Sequence, residues 1–475
     1  MSRSVINLEF NELSPILMDR FIAQGMLPNF ARLRQESTVC ITDAEIEPPA
    51  LEPWIQWVTV HTGLAADEHK IFDLDDGHKV DAPRIWDVVS DAGQPVWVCG
   101  SMNAGIHGDR LNGLLVPDPW STGAKPYPAG FFDAYAHFVR SYVQEYSRDD
   151  VPLSKADYLR FVLFMVSNGL STRTVTETLQ QLATERGGNR RWRRAAILDR
   201  LQWDMFRAQY KKLQPRFATL FLNSTAHLQH YYWRNMEPEA FTIQPTAQEQ
   251  ADFADAVPFG YRKMDDIVGE CLRLAGPETT IVLSTALSQK PLLRYETAGG
   301  KQIFRPHDAI ALARFAGIEG DVEYAPVMAE QFHLYFKDEA AAAVAERKLQ
   351  ALRGDDGAPT MEARREGSSV FAGCGVIIPP ADGAMVRSTE SNATARFADL
   401  FYKIEGMKSG SHHPDGILWI RQPGVPHQVV DRKISLRELA PTLLHLCGLP
   451  PSPVFALPAM PEITGAARAP MTLAA

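Results

Sequence analysis

The chain has 475 residues, with hydrophobic residues at 45% and charged residues at 22%. These fractions are typical of a globular protein and exclude a disordered or fibrous chain. Lys and Arg number 48 against 57 Asp and Glu, a formal net charge of −9. This acidic balance argues against nucleic-acid binding driven by bulk charge.

The first residues, MSRSVINLEF, show no apolar signal-peptide core. The most apolar stretch, residues 161–166 (FVLFMV), is too short to cross a bilayer, and we predict a buried helix segment there. The five cysteines are widely spaced, odd in number and without a CxxC motif. We expect them to be buried free thiols of a cytoplasmic protein.

Short apolar runs of strand length recur along the chain between stretches with helical spacing. Five of them are predicted as buried strands: residues 5–10 (VINLEF), 39–42, 96–99, 218–222 and 280–283. Apolar residues at helical spacing over residues 14–34 predict two helices, separated at Gly25 and Pro28. Another helix is predicted to begin after Glu52, with Pro53 at its first position, and to end at Gly63.

The alternation predicts a three-layer α/β/α sandwich with a mostly parallel central sheet and a helical insertion. We assign residues 1–455 to one α/β domain and residues 131–212 to the insertion or cap within it. Residues 456–475, rich in Ala and Pro, are predicted to be a flexible tail. The sequence gives no signal of oligomeric state.

Five segments, spread along the chain, carry sequence motifs. They are GMLPNFARL (25–33), WIQWVTVHTGLAADEHKIFDL (54–74), STAHLQHYYWR (224–234), SGSHHPDGILWI (409–420) and SLRELAPTLLHLCGLP (435–450). Together they resemble the alkaline phosphatase superfamily, in particular its type I phosphodiesterase/nucleotide pyrophosphatase branch, which shares a sulfatase-like fold. That resemblance implies two divalent metals held by Asp and His, and a Ser or Thr nucleophile at a helix N-terminus.

Most of those groups are replaced in this sequence. Matching the motif places the nucleophile near Pro53, and no Ser, Thr or Cys lies between Thr42 and Thr59. Two further ligand positions match Ala226 and the pair Thr285–Ala286, which offer poor metal donors or none. The resemblance therefore implies a divergent active site without the two-metal centre of the family.

The remaining ligand positions predict a single divalent cation, Zn or Mn. By resemblance, the first-strand ligand corresponds to Glu9, with Asn11 and Glu12 close by, and the two later ligands correspond to His230 and His412. The alternative is that both histidines now make ordinary hydrogen bonds. His227, His413 and Asp415 are additional candidates, and we expect Asn11, His227 and His413 to contact substrate.

Glu52 stands where a nucleophile would be expected, so we predict catalytic roles for Glu52, His230 and His412. Glu52 could act as a general base, as a metal ligand or as a carboxylate that fills the site. The alternative is an ordinary acidic residue at a helix start. Trp54 and Trp57 are predicted to lie in the core or in a pocket wall, and His61 has no partner that the sequence identifies.

Two functions remain open. The first is a phosphodiesterase- or phosphatase-like hydrolase or group-transfer enzyme with a remodelled, metal-poor site. Its substrate would be an anionic or phosphorylated small molecule, or a glycan-like one, and neither nucleic acid nor a membrane span is expected. The alternative is a catalytically inactive binding or scaffold protein, which the missing hydroxyl favours.

Overall fold

The computed structural model describes residues 4–121, 123–144, 153–185, 189–327, 329–450 and 452–465. The strands are β1 (Val5–Phe10), β2 (Thr38–Asp43), β3 (Val96–Cys99), β4 (Gly113–Val116), β5 (Phe217–Leu222), β6 (Thr280–Ser284), β7 (Ser288–Pro291), β8 (Lys301–Pro306), β9 (Glu323–Pro326), β10 (Phe332–Tyr335), β11 (Leu352–Arg353), β12 (Met361–Glu366), β13 (Ser369–Cys374), β14 (Met385–Ser388), β15 (Thr394–Arg396), β16 (Phe401–Lys408), β17 (Gly410–His413), β18 (Asp415–Arg421) and β19 (Gln428–Ser435). The five predicted strands correspond to β1, β2, β3, β5 and β6, and their bounds differ by at most one residue at each end.

The helices are α1 (Pro15–Ala23), α2 (Pro28–Gln35), α3 (Pro53–Thr62), α4 (Ala66–His69), α5 (Ile85–Asp91), α6 (Asp133–Gln144), α7 (Lys155–Ser167), α8 (Thr172–Thr184), α9 (Ala195–Leu213), α10 (Ser224–Met236), α11 (Ala247–Phe253), α12 (Ala256–Ala275), α13 (Ala309–Phe315), α14 (Glu339–Gln350), α15 (Phe397–Leu400), α16 (Leu439–Leu446) and α17 (Pro461–Thr464). Helix α3 begins at Pro53 and is followed by Gly63 at φ 69°, as predicted. The left-handed conformation at that position favours glycine.

The central sheet has eight strands in the order β19–β2–β18–β6–β1–β5–β3–β4. Strand β18 runs antiparallel to β2 and β6, and the other neighbouring pairs are parallel. Strand β1 lies in the middle and is buried along its whole length. The predicted mostly parallel α/β sheet is therefore confirmed.

Alternating side chains of β1 enter two separate hydrophobic cores. Ile6, Leu8 and Phe10 belong to one core, which α1, α2, α9, α10 and α12 cover. Val5 belongs to the other, together with Trp57 of α3 and residues of α5 and α16. Since side chains along a strand alternate between its faces, the sheet is covered by helices on both sides, and the three-layer sandwich is confirmed.

A smaller lobe between β8 and β16 has its own core. Its sheet has the order β12–β13–β10–β9, and its core includes Leu312, Leu334, Leu349 and Val370. Strands β8 and β16 pair antiparallel, from Phe401 opposite Pro306 to Lys408 opposite Lys301. This pair connects the lobe to the large sheet and ends beside the site described below.

The segment predicted as an insertion contains α6, α7, α8 and most of α9; residues 145–152 and 186–188 lie outside the described residues. The prediction that residues 161–166 are buried is wrong in part. Phe161 and Met165 are buried, but Val162, Leu163 and Val166 expose 48–63% of their surface. Phe161 and Met165 thus lie on the buried side of α7, and Val162, Leu163 and Val166 lie on its exposed side.

The remaining predictions concern the C-terminal residues, the cysteines and membrane-spanning segments. Of the predicted tail, residues 466–475 lie outside the described residues, while α17 packs near α16 and its Glu462 pairs with Arg432 at 2.8 Å. All five cysteines are buried and unpaired, as predicted. None of the helices within the described ranges has the length and apolar character that a membrane crossing needs.

Candidate active site at the carboxyl edge of the sheet

Strand β1 ends at Phe10 and is followed by two buried polar residues, Asn11 and Glu12. Glu12 has a φ of 59°, in the left-handed region that a non-glycine side chain rarely adopts. The turn carries its carboxylate to the carboxyl edge of the sheet, where ligand crevices of open α/β sheets form. Gln229 of α10 donates to the backbone carbonyl of Glu12 at 2.8 Å and so fixes the turn.

Two histidines meet this carboxylate from neighbouring elements. His230 lies in α10, the helix that follows β5, and His412 lies on β17. One histidine is thus held by a helix and the other by a strand. The Nδ1 of His230 lies 3.1 Å from the carbonyl oxygen of Gly410, and the Nδ1 of His412 lies 2.8 Å from that of Leu51. A carbonyl oxygen only accepts, so each Nδ1 carries the proton.

The opposite ring nitrogens both point at Glu12. The Nε2 of His230 is 3.1 Å from Oε2 of Glu12, and the Nε2 of His412 is 3.4 Å from the same oxygen. In the neutral rings these nitrogens carry lone pairs, so three acceptor atoms converge. The three atoms lie within 4.8 Å of one another. Such convergence requires either extra protons or a cation, and an imidazole–imidazole–carboxylate set is typical of catalytic zinc.

The pKa values of this cluster describe a strongly coupled group. Burial would raise the pKa of Glu12, but His412 and His230 hold it well below its usual range. Burial, with the charge of Lys408 acting in the same direction, lowers the pKa of His230 to about 4, so its ring is neutral near pH 7. For His412 burial acts downward, yet Glu12 and Glu52 raise its pKa above the ordinary value.

Glu52 is the residue that precedes α3, and its carboxylate faces the same cluster. Its side chain makes no capping hydrogen bond to the helix, which argues against an ordinary helix-start acid. Instead Oε2 lies 3.4 Å from Nδ1 of His412. Burial raises the pKa of Glu52, and the positive charges of His412 and Lys408 reduce that effect. A carboxylate with a raised pKa is suited to accept a proton from a bound group.

Lys408, at the end of β16, brings a positive charge to the cluster. Burial lowers its pKa, and Lys301 lowers it further, while Glu330, Glu52 and Glu12 act upward. Among the described residues, no carboxylate oxygen lies within ion-pair distance of the Lys408 ammonium group. Lys408 is a half-buried residue, and its ammonium group is available to an anionic ligand.

Glu9, expected as the first metal ligand, lies elsewhere. Its carboxylate contacts Nε2 of His61 at 3.0 Å and accepts from Ser101 at 2.6 Å and Asn7 at 3.1 Å. Odd-numbered residues of β1 point toward α3, so Glu9 is buried between sheet and helix, below the edge. The structure does not bring Glu9 to His230 and His412, and Glu12 takes that position.

The three residues predicted to contact substrate, Asn11, His227 and His413, have different surroundings. Asn11 donates to Glu12 at 2.9 Å and to Asn223 at 2.8 Å, and it accepts from Trp57 at 2.8 Å, so its amide braces the cluster. His227 lies one turn before His230, with its ring 5.1 Å from that of Tyr231. Neither it nor His413 belongs to the three-residue group.

The positions that resembled a second metal site carry no such site. Ala226 is buried, and Thr285 accepts a hydrogen bond from the backbone N–H of Ile417 at 2.8 Å. Across the described ranges, Glu12, His230 and His412 form the only group of three or more His, Cys, Asp or Glu residues arranged to hold a metal ion. The geometry therefore shows one possible three-residue cation site in the described ranges.

Sequence reasoning overlooked three members of the site. Glu12 was noticed only as a neighbour of Glu9, and Lys408 and Gln289 were not singled out. Gln289 stands opposite His412 in the β7–β17 pair and donates to Oε2 of Glu12 at 2.5 Å. The sequence did contain a signal for Glu12. Side chains at a sheet edge come after the last residue of a strand, and the predicted strand ends at Phe10.

Comparison with known proteins gives one family match. The model of the family described as type I phosphodiesterase/nucleotide pyrophosphatase matches residues 5–368. No curated protein sequence matches the chain.

Solved structures with a similar overall path include three phosphorus-handling proteins. Phosphonoacetate hydrolase from Sinorhizobium meliloti, in complex with phosphonoformate, has 12% identity and a TM-score of 0.42, covering 94% of this chain and 95% of its own. Inactive murine ectonucleotide pyrophosphatase/phosphodiesterase 5, in complex with AMP, has 10% identity and a TM-score of 0.41, covering 95% and 96%. A mutant of alkaline phosphatase PafA has 12% identity and a TM-score of 0.47, covering 97% and 99%.

Proposed function

Because this chain belongs to the type I phosphodiesterase/nucleotide pyrophosphatase family, we propose that it hydrolyses a phosphoester or related bond of an anionic small molecule. The proposed reaction centre is the cluster of Glu12, His230 and His412, with Glu52 beside it. A remodelled site with one cation replaces the family's arrangement in this proposal.

One observation carries the proposal most strongly. Both Nδ1–H groups are committed to backbone carbonyls, and the two Nε2 atoms point at one carboxylate oxygen. In their neutral forms both histidines direct a lone pair toward the carboxylate, an arrangement that a bound cation would satisfy. A Zn or Mn ion bound by Glu12, His230 and His412 would supply Lewis-acid polarisation of a phosphoryl oxygen.

The chain's own residues supply the other functions. Lys408 binds the anionic group of the substrate through its unpaired ammonium group. Asn11 and Gln289 hold the Glu12 carboxylate in place from two sides. Because Glu12 is braced in this way, its orientation does not depend on the substrate.

Glu52 is the proposed general base. It takes a proton from the attacking water as the new P–O bond forms and the ester P–O bond breaks, and the leaving oxygen acquires its proton from solvent. The absence of any Ser, Thr or Cys between Thr42 and Thr59 favours direct attack by water over a covalent intermediate. General-base catalysis of this kind contributes roughly 10²–10⁴-fold.

The test uses chelator-treated full-length protein with added Zn²⁺ or Mn²⁺ and two substrates, bis(p-nitrophenyl) phosphate and p-nitrophenyl phosphate. Glu52→Gln should reduce kcat by about 10²-fold or more. Glu47→Gln, in the same loop and exposed, should leave kcat unchanged. His230→Ala should abolish the metal dependence, while His445→Ala on an exposed position of α16 should preserve it. Equal activity in all variants would overturn the proposal.

A non-catalytic binding function is the second candidate, and the missing hydroxyl at the start of α3 favours it. Under that function, the cluster would bind Zn²⁺ and an anion such as inorganic phosphate, but no substrate would turn over. Calorimetric binding of phosphate by wild-type protein, its loss in Lys408→Ala and the absence of turnover would select this candidate. Turnover that depends on Glu52 would exclude it.

A further inference from the structure

Trp57, in the middle of α3, makes a buried polar contact that the proposed mechanism leaves without a role. Its side chain has no exposed surface. The indole Nε1–H donates to Oδ1 of Asn11 at 2.8 Å. Asn11 donates in turn to Oε1 of Glu12 at 2.9 Å and to Oδ1 of Asn223 at 2.8 Å. Trp57 is therefore connected to the proposed metal ligand Glu12 through one intervening side chain.

The contact with Trp57 decides which way the Asn11 amide points. An indole nitrogen is only a donor, so the atom of Asn11 that faces it must be the carbonyl oxygen. The NH₂ group then points the other way, where its two hydrogens meet the oxygens of Glu12 and Asn223. The opposite orientation would set N–H against N–H at Trp57 and oxygen against oxygen at Glu12. Both mismatches are costly in a buried place, so the indole holds the amide as a donor to the carboxylate.

A donor at this place holds one oxygen of Glu12 and leaves the other to face the histidines. Asn11 contacts Oε1, whereas Oε2 is the oxygen nearest to Nε2 of His230 and Nε2 of His412. Hydrogen-bond partners of a metal-binding carboxylate orient the ligand, and replacing such a partner typically costs 10–100-fold in metal affinity. The direction of the Asn11 amide therefore bears on cation binding.

We propose that Trp57 is a positioning residue of the cation site, acting through Asn11 on the orientation of the Glu12 carboxylate. This inference rests on the proposed function. Glu52 immediately precedes the same helix. Helix α3 thus positions the proposed base directly, and it positions one proposed metal ligand through two consecutive hydrogen bonds.

The test measures the Zn²⁺ affinity of the full-length protein by competition against a chromophoric chelator, alongside urea denaturation. Trp57→Phe keeps a buried aromatic ring but removes the N–H donor, and we expect Zn²⁺ affinity to fall about 10-fold. The matched control is Trp86→Phe. Trp86 is also fully buried, and its indole N–H donates to the carbonyl oxygen of Gly105 at 2.8 Å, away from the cluster. Both variants should lose stability, but only Trp57→Phe should lose Zn²⁺ affinity.

A double-mutant cycle separates an effect through Asn11 from a merely structural one. Asn11→Ala should lower Zn²⁺ affinity about 10–100-fold. In the Asn11→Ala background, Trp57→Phe should cause no further loss, because the contact that it removes is already absent. Additive losses would show that Trp57 affects the site by another route and would overturn the proposal.

The outcomes distinguish this inference from the function on which it rests. Wild-type protein that binds Zn²⁺, with equal affinities in Trp57→Phe and Trp86→Phe, would overturn the positioning role alone. Wild-type protein that binds no Zn²⁺ would overturn the proposed cation site and this inference with it. If Trp57→Phe loses its folded circular dichroism, benzothienylalanine at position 57 replaces it. That isostere of tryptophan carries sulfur in place of the N–H, and the same outcomes apply.

Discussion

Glu9 and Glu12 are two buried glutamates three residues apart, and their surroundings differ in kind. Glu9 receives hydrogen bonds from Asn7 and Ser101 and contacts His61. Glu12 also accepts amide donors, from Asn11 and Gln289, but its Oε2 in addition faces the Nε2 atoms of His230 and His412. A buried carboxylate whose hydrogen bonds are all satisfied by the protein has a structural role. A carboxylate that faces two imidazole nitrogens is arranged to bind a ligand together with them.

The difference follows from where each residue leaves the strand. Glu9 lies inside β1 and its side chain must enter the layer between sheet and α3, where only protein atoms can reach it. Glu12 lies past the end of the strand and points along the sheet edge. The four predictions below test this contrast, from the largest expected effect to the smallest.

Removing the carboxylate of Glu9 should cost the most stability. Glu9→Ala leaves the donors of Asn7 and Ser101 buried and unsatisfied and removes the partner of His61, so we expect a loss of about 3–5 kcal/mol in the free energy of unfolding. Urea denaturation measures it. A loss below about 1 kcal/mol would contradict the structural role of Glu9.

Replacing Glu12 should instead remove metal affinity. Glu12→Gln keeps the shape of the side chain but loses the charge between His230 and His412, and we expect Zn²⁺ affinity to fall about 100-fold, equivalent to about 2.7 kcal/mol. Competition against a chromophoric chelator measures it. Glu9→Gln serves as the matched control and should change Zn²⁺ affinity little; the reverse ranking would place the metal at Glu9.

A third buried acid, Asp199, tests how burial acts when no ligand is involved. Burial raises its pKa from 3.8 to about 7, although Ser224 and the backbone N–H groups that begin α10 act downward. From about pH 4 to 7 the folded protein retains a proton that the unfolded chain has released, so the free energy of unfolding falls as pH rises through that window.

The check on Asp199 is urea denaturation of wild type and Asp199→Asn at several pH values. The variant has no group to titrate there, so the stability of wild type relative to the variant should decline across that pH window. A constant difference from pH 4 to 8 would show that Asp199 is ionised throughout.

Lys408 should have the smallest effect. Lys408→Met retains the aliphatic stem but removes the charge that faces the cluster, and we expect KM for a phosphodiester to rise about 10-fold, which corresponds to about 1.4 kcal/mol. Lys403→Met, an exposed position on the same strand, is the control. An unchanged KM with a lower kcat would mean that Lys408 acts on the transition state alone.

Local patterns were enough to predict five strands of the central sheet and the start of α3. The runs at residues 5–10 and 96–99 are apolar over the full strand length, and Pro53 and Gly63 delimit their helix through backbone restrictions that act locally. These effects need no knowledge of the tertiary structure. The convergence of Glu52, His230 and His412 was predicted from the resemblance, since residues so far apart in the chain have no local signal that joins them.

The errors have tertiary causes. Glu9 matched the expected motif position, but the choice between Glu9 and Glu12 depends on a turn at φ 59° that the sequence does not signal. His61 had no visible partner because its partner lies on a strand in another layer. In α7, hydrophobicity could not distinguish Phe161, which packs on α6, from Leu163, which does not.

The backbone conformation of Glu12 lowers folding stability at the position proposed to bind a cation. A side chain at this left-handed position costs about 1 kcal/mol relative to glycine, and a buried acid adds its own desolvation. A glycine at this position would relax the turn and would remove a buried charge. The variant should therefore have a higher melting temperature but should not bind a cation. Under the proposed function, the lower stability of this turn is what places a metal-binding carboxylate at the edge of the sheet.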